Sequence, residues 1–205
     1  MFESGAGVVG AVILAAGSSS RMGRPKQLLR FGGETLLRRA ALSALGAGCG
    51  PVVVVTGAHA EQTREELRGL DVREVENQSW ETGMGSSVRV GIGALLESHA
   101  EASAVVLMLC DQPYVNADVI ASLVAAHRAT RRAVVASQYG GGFGVPALFD
   151  PTLFDELARL DAQAGAKQVI KRHASQAHFV PFPGGEFDVD TPEDFARLLS
   201  THAGQ

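Results

Sequence analysis

At 205 residues with 46% hydrophobic and 20% charged content, the chain can bury a full core and is too apolar to remain disordered, most simply as one domain over residues 1–205. A net charge of -4 excludes a general nucleic-acid binder, which needs a basic face for phosphate contacts, while leaving room for a local basic pocket. No apolar run approaches the roughly 18 residues of a membrane span. Residues 1–10 carry Glu3 where a signal peptide would carry cations. Cys49 and Cys110 lack metal-ligand spacing and fit a reducing compartment, so the expected location is the cytoplasm.

Taken in order, the chain alternates short apolar runs with amphipathic segments. Residues 8–15 form a β-branched run and predict a buried strand. Residues 34–47 repeat Leu36, Leu37, Ala40, Ala41, Ala44 and Leu45 at helical spacing, closed by Gly46 and Gly48. A second buried strand is expected at 51–55, a polar helix at about 60–68 and a short strand at 72–75. A long turn over 76–85 leads to a helix through Val88, Ile92 and Leu95, then to a strand at 104–109 that ends on Cys110 and Asp111. Asn116 can cap a helix running to His127, because its side chain accepts from the freed amides. The second half is less regular, with strands at 133–137, 145–149 and near 177–180, a Gly-rich turn at 140–144, and helices at 152–160, 168–173 and 192–199. Mixed strand directions are expected there. The whole predicts a three-layer α/β/α sandwich on a mostly parallel mixed sheet, whose ligands sit at the carboxyl ends of the strands.

The chain is organised around residues 12–26, VILAAGSSSRMGRPK. Ala15, Ala16 and Gly17 let a backbone pass close to a bulky ligand, and Ser18, Ser19 and Ser20 add no intruding side chain. Arg21 and Lys26 place two cations on the same loop, with Gly23 and Pro25 at its turns. Small residues, free amides and two cations suit a polyphosphate, although the composition alone also fits an ordinary strand-to-helix connection. The stretch is neither a Walker A loop nor a G-x-G-x-x-G turn, because Lys26 follows Pro25 and precedes Gln27.

Asp111 follows a strand, so its carboxylate falls at the same sheet edge. It can serve as a turn former or as a ligand of Mg²⁺, which beside a triphosphate takes one or two protein carboxylates. Asp188 and Asp190 share a face if their segment is extended, and can complete a metal site. Asp190 or Thr191 can equally cap the last helix. Gly83, Met84, Ser86 and Ser87 open a helix and offer close approach, hydroxyls and amides to a nucleoside; the same residues also fit a plain helix cap with Trp80 as a packing anchor.

Four motifs occur in order: L-A-A-G-x-S-x-R-M-G-x-P-K at Leu14 to Lys26, N-x-x-W-x-x-G-M-x-S-S at Asn77 to Ser87, C-D-Q-P at Cys110 to Pro113, and D-x-D-T-P-E-D at Asp188 to Asp194. Over about residues 10–200 the chain therefore resembles the molybdenum cofactor cytidylyltransferase group of the MobA-like NTP transferases, in the nucleotidyltransferase superfamily of GT-A-like fold. The resemblance implies transfer of CMP from CTP to the terminal phosphate of molybdopterin with release of pyrophosphate, and a nucleotide-diphospho-sugar transferase architecture. It implies Arg21, Lys26 and Asp111 as catalytic residues, and Mg²⁺ on Asp111 with Asp188 or Asp190. It implies a nucleotide site from Leu14 through Arg21 with Lys26, Gly83, Met84, Ser86 and Ser87. A transient docking partner, the molybdenum hydroxylase that receives the cofactor, is also implied. The pairing of Leu14-Ala15-Ala16-Gly17 with Arg24-Pro25-Lys26 is similar to relatives that use CTP; guanylyl-transferring relatives tend to carry a second Gly for Ala16 and an acidic residue for Pro25.

Two departures concern the acceptor. Relatives usually have G-x-x-G-H-P where Phe143-Gly144-Val145-Pro146 puts Val145 in the His position, and often have G-D-x-G-A where this chain reads Ala162-Gln163-Ala164-Gly165-Ala166. Gly144, Pro146 and Lys167 remain the candidate acceptor residues, Lys167 being equally a solvated surface cation. His59, His99, His127, His173 and His178 share no spacing and are expected at the surface or in packing, and Cys110 is expected as a small buried hydrophobe. The competing readings are nucleotidyl transfer of another base to a different phosphorylated acceptor, and a non-catalytic pterin carrier.

Overall fold

A computed structural model describes residues 7–202; most of the segment considered for a leader lies outside the described residues. Among these residues, a seven-stranded sheet has the order β5 (Arg73–Glu76), β4 (Val52–Thr56), β1 (Val9–Leu14), β6 (Ala104–Leu109), β8 (Gly142–Phe149), β7 (Val134–Tyr139), β9 (His178–Pro181). The first four run parallel; β8 is antiparallel to both β6 and β7, and β9 is parallel to β7. The expected mixed sheet is present, with its reversal in the second half.

Both faces of the sheet are covered, and this is why its central strands are apolar at every position rather than at alternate ones. Val12, Val53, Val55, Val105 and Leu107 face α3 (Met84–Ser98), α5 (Phe154–Ala158) and α6 (Ala166–Arg172). Ile13, Val52, Val54, Val106 and Met108 face the other side, with α1 (Leu36–Gly46), α2 (Ala60–Glu66) and α4 (Ala117–Thr130). A smaller cluster of Met22, Leu29, Phe31, Leu36, Val189 and Leu198 lies under α7 (Pro192–His202).

Several boundaries differ from expectation. Glu34 belongs not to a helix but to a two-stranded ribbon, β2 (Arg30–Phe31) with β3 (Glu34–Thr35). The helix starts at Leu36 because Thr35 Oγ1 caps it, accepting from Arg38 N at 3.3 Å. The turn expected over 140–144 is confined to Gly140 and Gly141, both at positive φ, so Gly144 lies within β8. The helix expected at 152–160 begins as a 3-10 turn at Pro151–Leu153, capped by Asp150, and leaves only Phe154–Ala158 α-helical. Asn116 caps α4 as expected, accepting from Val119 N at 3.0 Å.

The topology fixes the site before any side chain is considered. β1, β4 and β6 are in parallel register, with Leu14 opposite both Val55 and Leu109, so their following loops leave one edge together. The antiparallel entry of β8 brings its first residues to that same edge. Close approach of α3 to β1 and β4 is set by Gly91, where an added Cβ would sit 2.9 Å from Val55 Cγ2 and nearer still to Val12. Gly91→Leu is therefore expected to cost about 2–3 kcal/mol by overpacking. Gly93→Ala, two residues on and with nothing within 4 Å, should gain roughly 0.5–1 kcal/mol from helix propensity. Urea denaturation of the two variants checks both signs.

Candidate active site at the carboxyl edge of the sheet

The loop after β1 is held open by Gln27. This side chain is 1% exposed, and its Nε2 donates to Ala15 O at 2.9 Å and Gly17 O at 2.8 Å. Ser19, at φ 57°, donates its hydroxyl to Gln27 Oε1 at 3.2 Å and accepts from Lys26 N at 3.1 Å. The strained backbone at Ser19 thus ties the start of the loop to its end. Among the described residues, the amides of positions 16–21 donate to no carbonyl or side chain, leaving them free as donors. His59 Nε2 donates to Ser18 O at 3.1 Å, a contact that no spacing in the sequence announces. Ser18 and Ser20 are exposed, Ser19 is half-buried, and the hydroxyl of Ser19 is spent on the loop itself.

Asp111 is 9% exposed. Its backbone carbonyl accepts from Val189 N at 2.9 Å, which docks the segment carrying Asp188 and Asp190 beside it. Val189 is fully buried in the cluster under α7, and Asp188 and Asp190 flank it in an irregular segment. Thr191 caps α7, its Oγ1 accepting from Asp194 N at 3.2 Å, while Asp194 reaches back to Thr191 N at 2.9 Å. Thr191 thus takes the capping role, and the Asp190 carboxylate turns to the first loop instead.

Lys26 Nζ lies 2.5 Å from Asp111 Oδ2 and 2.8 Å from Asp190 Oδ1, and Arg21 Nη2 lies 2.9 Å from Asp190 Oδ2. Burial alone would lower the Lys26 pKa, but the Asp111 charge and the hydrogen bonds to both carboxylates carry it above the usual lysine range. Burial would raise the pKa of Asp190, yet its bonds to Lys26 and Arg21 hold it below the ordinary carboxylate value. Asp188 is different. Burial, then the neighbouring charges of Asp111 and Asp190, push it up to about 6. Burial pushes the Cys110 thiol up to about 12, so it stays a neutral buried group.

Asp111 Oδ1 is buried without a hydrogen-bond partner. A bare carboxylate oxygen beside two further carboxylates is an oxygen-only donor set, the chemistry of a hard divalent cation such as Mg²⁺. Among the described residues, no three acidic, His or Cys side chains close into a metal cage. An open set of this kind suits an ion that keeps waters or phosphate oxygens as its other ligands.

Two cavities meet here. One, of about 240 Å³, is lined by Ala15, Ala16, Gly17, Lys26, Trp80, Gly83, Ser87 and Asp111. The other, of about 440 Å³, is lined by Gln112, Tyr139, Phe143, Gly144, Val145, Lys167, Glu186 and Asp188 among others. Leu14, Met84 and Leu109 form their shared wall. Ser86 faces neither cavity: it is engaged by buried Asn77, whose Nδ2 donates to Ser86 Oγ at 2.8 Å and Ser87 Oγ at 3.0 Å. Pro146 likewise lies behind the wall, buried in β8, its carbonyl accepting from Ser137 Oγ at 2.7 Å. The divergent stretch at 162–164 lines neither cavity and instead packs on the start of α3, since Gly85 N donates to Ala162 O at 2.8 Å and Gln163 Nε2 to Thr82 O at 2.8 Å.

With this geometry in place, likeness to known proteins carries weight. Residues 11–177 match the model of the MobA-like NTP transferase domain. The chain belongs to that family. It is a nucleotidyltransferase of α/β fold. The chain is 32% identical over 203 residues to nicotine blue oxidoreductase of Paenarthrobacter nicotinovorans, covering 93% of this chain and 96% of that protein. It is 30% identical over 196 residues to the purine catabolism protein PucB of Bacillus subtilis, covering 90% and 92%. Rv0371c of Mycobacterium tuberculosis superposes with a TM-score of 0.81 at 32% identity, over 96% of this chain and 99% of that one. A second crystal structure of Rv0371c, at TM-score 0.75 and 31% identity over 95% and 99%, is a complex with manganese. No helix among the described residues is long and apolar enough to cross a membrane.

Sequence reasoning missed Gln27, because a buried amide that supports a loop leaves no periodic or motif signal; His59, expected at the surface or in packing, rests on the loop through Ser18 O. Gln27→Leu strips the Ala15 and Gly17 carbonyls of their donors and is expected to cost about 1–3 kcal/mol in denaturant melts.

Proposed function

We propose that this nucleotidyltransferase, as one domain over residues 1–205, moves CMP from CTP to the terminal phosphate of molybdenum-molybdopterin with Mg²⁺ and releases pyrophosphate. The observation that carries the reading is the convergence of Lys26, Arg21, Asp111, Asp188 and Asp190 between two cavities that share a wall. Two anionic substrates have to be brought together there, and paired cations and carboxylates are what that task requires.

In this account the smaller cavity takes the nucleotide. The loop amides at 16–21 bind the β and γ phosphates, with Lys26 and Arg21 neutralising them. Trp80, Gly83, Met84 and Ser87 border the nucleoside. Asp111 and Asp188 would hold the divalent cation, which when bound stabilises charge on the transferring phosphoryl and the leaving pyrophosphate. The complex of Rv0371c with manganese supports a divalent cation at a site of this family. The acceptor phosphate is already ionised near neutrality, so it needs no dedicated general base; its oxygen attacks the α-phosphorus as the bond to the β-phosphate breaks. Lys167 and Gly144, at the larger cavity, would orient that acceptor.

The cytidine preference rests on the likeness of Leu14 to Gly17 and Arg24 to Lys26 to CTP-using relatives. The reading extends to a cytoplasmic protein that hands its product to a molybdenum hydroxylase, since so labile a product gains from direct transfer. A different acceptor is the second reading. It is favoured by Val145, an apolar residue on the wall of the larger cavity where relatives usually carry His.

Pyrophosphate release measured with each of the four NTPs, with and without molybdopterin, is expected only when CTP and molybdopterin are both present. Turnover with another NTP, or none with any while molybdopterin binds, overturns the assignment. Asp111→Asn should lower turnover about 10²-fold or more while leaving the melting temperature within a few degrees. Lys26→Ala should lose far more rate than Lys171→Ala, a comparison that separates a phosphate-binding lysine from a solvated one.

A further inference from the structure

Resting on the nucleotide and metal site proposed above, we propose that Lys26 is a removable stand-in for the divalent cation. In the unliganded protein its ammonium occupies the Asp111 and Asp190 carboxylates, and the cation gains Asp111, beside Asp188, only when a polyphosphate draws Lys26 away.

The occupied seats can be enumerated atom by atom. Asp111 Oδ2 is taken by Lys26 Nζ at 2.5 Å, Asp190 Oδ1 by the same nitrogen at 2.8 Å, and Asp190 Oδ2 by Arg21 Nη2 at 2.9 Å. Asp111 Oδ1 stays buried and unpartnered. Lys26 is no surface cation brushing a neighbour, since its side chain is 16% exposed against 69% for Arg21. A divalent ion bonding to Asp111 Oδ2 at about 2.0–2.6 Å would collide electrostatically with an ammonium already on that atom. A metal-free polyphosphate meets the converse obstacle, because Lys26 reaches it only by leaving two carboxylates bare beside the incoming anion.

Together the two ligands resolve both conflicts by exchanging partners: the cation takes Asp111, beside Asp188, and the polyphosphate takes Lys26 and Arg21. The exchange needs only the flexible lysine stem, because Lys26 N stays anchored on Ser19 Oγ at 3.1 Å. Each ligand then strengthens the other, and the coupling is reciprocal. The device keeps the carboxylates filled until a nucleotide arrives.

The test is titration of Mn²⁺ alone into the full chain, followed by the electron paramagnetic resonance of the free ion, with Lys26→Met, Lys26→Gln and Arg21→Met compared with the parent protein. Thermal melts verify folding, and Lys26→Gln, which keeps a polar end group, serves if the Met variant does not fold. Removing Lys26 is expected to tighten Mn²⁺ binding about tenfold or more and to abolish most of the further tightening caused by CTP. Arg21→Met removes the same charge from the outer oxygen of Asp190 and should change the affinity less than about threefold. Equal affinity in the Lys26 variants and the parent overturns the inference, as does equal tightening by Arg21→Met, which would reduce the effect to net charge. If Mn²⁺ binds the parent with CTP yet no tighter to the Lys26 variants, the interlock alone fails. If it binds none of them even with CTP, the metal site of the proposed function fails as well.

Discussion

Three carboxylates delivered to one edge of a sheet have to be neutralised, and the pairing of Lys26 with Asp111 and Asp190 is the interaction on which the arrangement of the site depends. It closes the loop after β1 onto the loop after β6 and a segment from the far end of the chain. Like charges of this kind repel strongly in a poorly solvated setting. The cost is visible in Asp188, whose pKa is driven up to about 6 by burial and by Asp111 and Asp190. The protein therefore holds a store of unfavourable negative charge of the kind a cation relieves.

The scaffold makes that concentration tolerable. Parallel strands buried on both faces fix the edge, and the backbone bond from Val189 N to Asp111 O sets the register of the acidic segment without using a carboxylate. Thr191 and Asp194 cap α7 between themselves, so Asp190 is not needed there. Gln27 supports the first loop from beneath through the Ala15 and Gly17 carbonyls, and the loop amides of 16–21 stay unpaired. On the proposed reading, recognition of the acceptor falls on the other half of the molecule. There β8 enters antiparallel and presents Phe143, Gly144 and Val145, and the stretch at 162–164 packs directly on the start of α3.

Much of the fold was legible because the main strands are β-branched runs and α1, α3 and α4 carry apolar residues at helical spacing. The β2 and β3 ribbon was not, since strands of two residues have no period to detect. The helix at 154–158 was overestimated because Pro151 starts a 3-10 turn before the α-helix begins. At the site, four motifs named the segments, and the parallel topology explains why they meet. The ion pairs were invisible: Lys26 is separated by 85 residues from Asp111 and by 164 from Asp190, and charge type alone does not say whether a lysine faces a phosphate or a carboxylate. Gln27, His59 and the position of Pro146 behind the cavity wall are likewise products of packing.

The most direct test of the account is a crystal structure with Mn²⁺ and a non-hydrolysable CTP analogue, using anomalous scattering to locate the metal. The account predicts a manganese peak bonded to Asp111 and Asp188, with the triphosphate on the amides of residues 16–21 and Lys26 turned from Asp190 to a phosphate oxygen. A triphosphate bound elsewhere, with Lys26 still seated on Asp111 and Asp190, would contradict it.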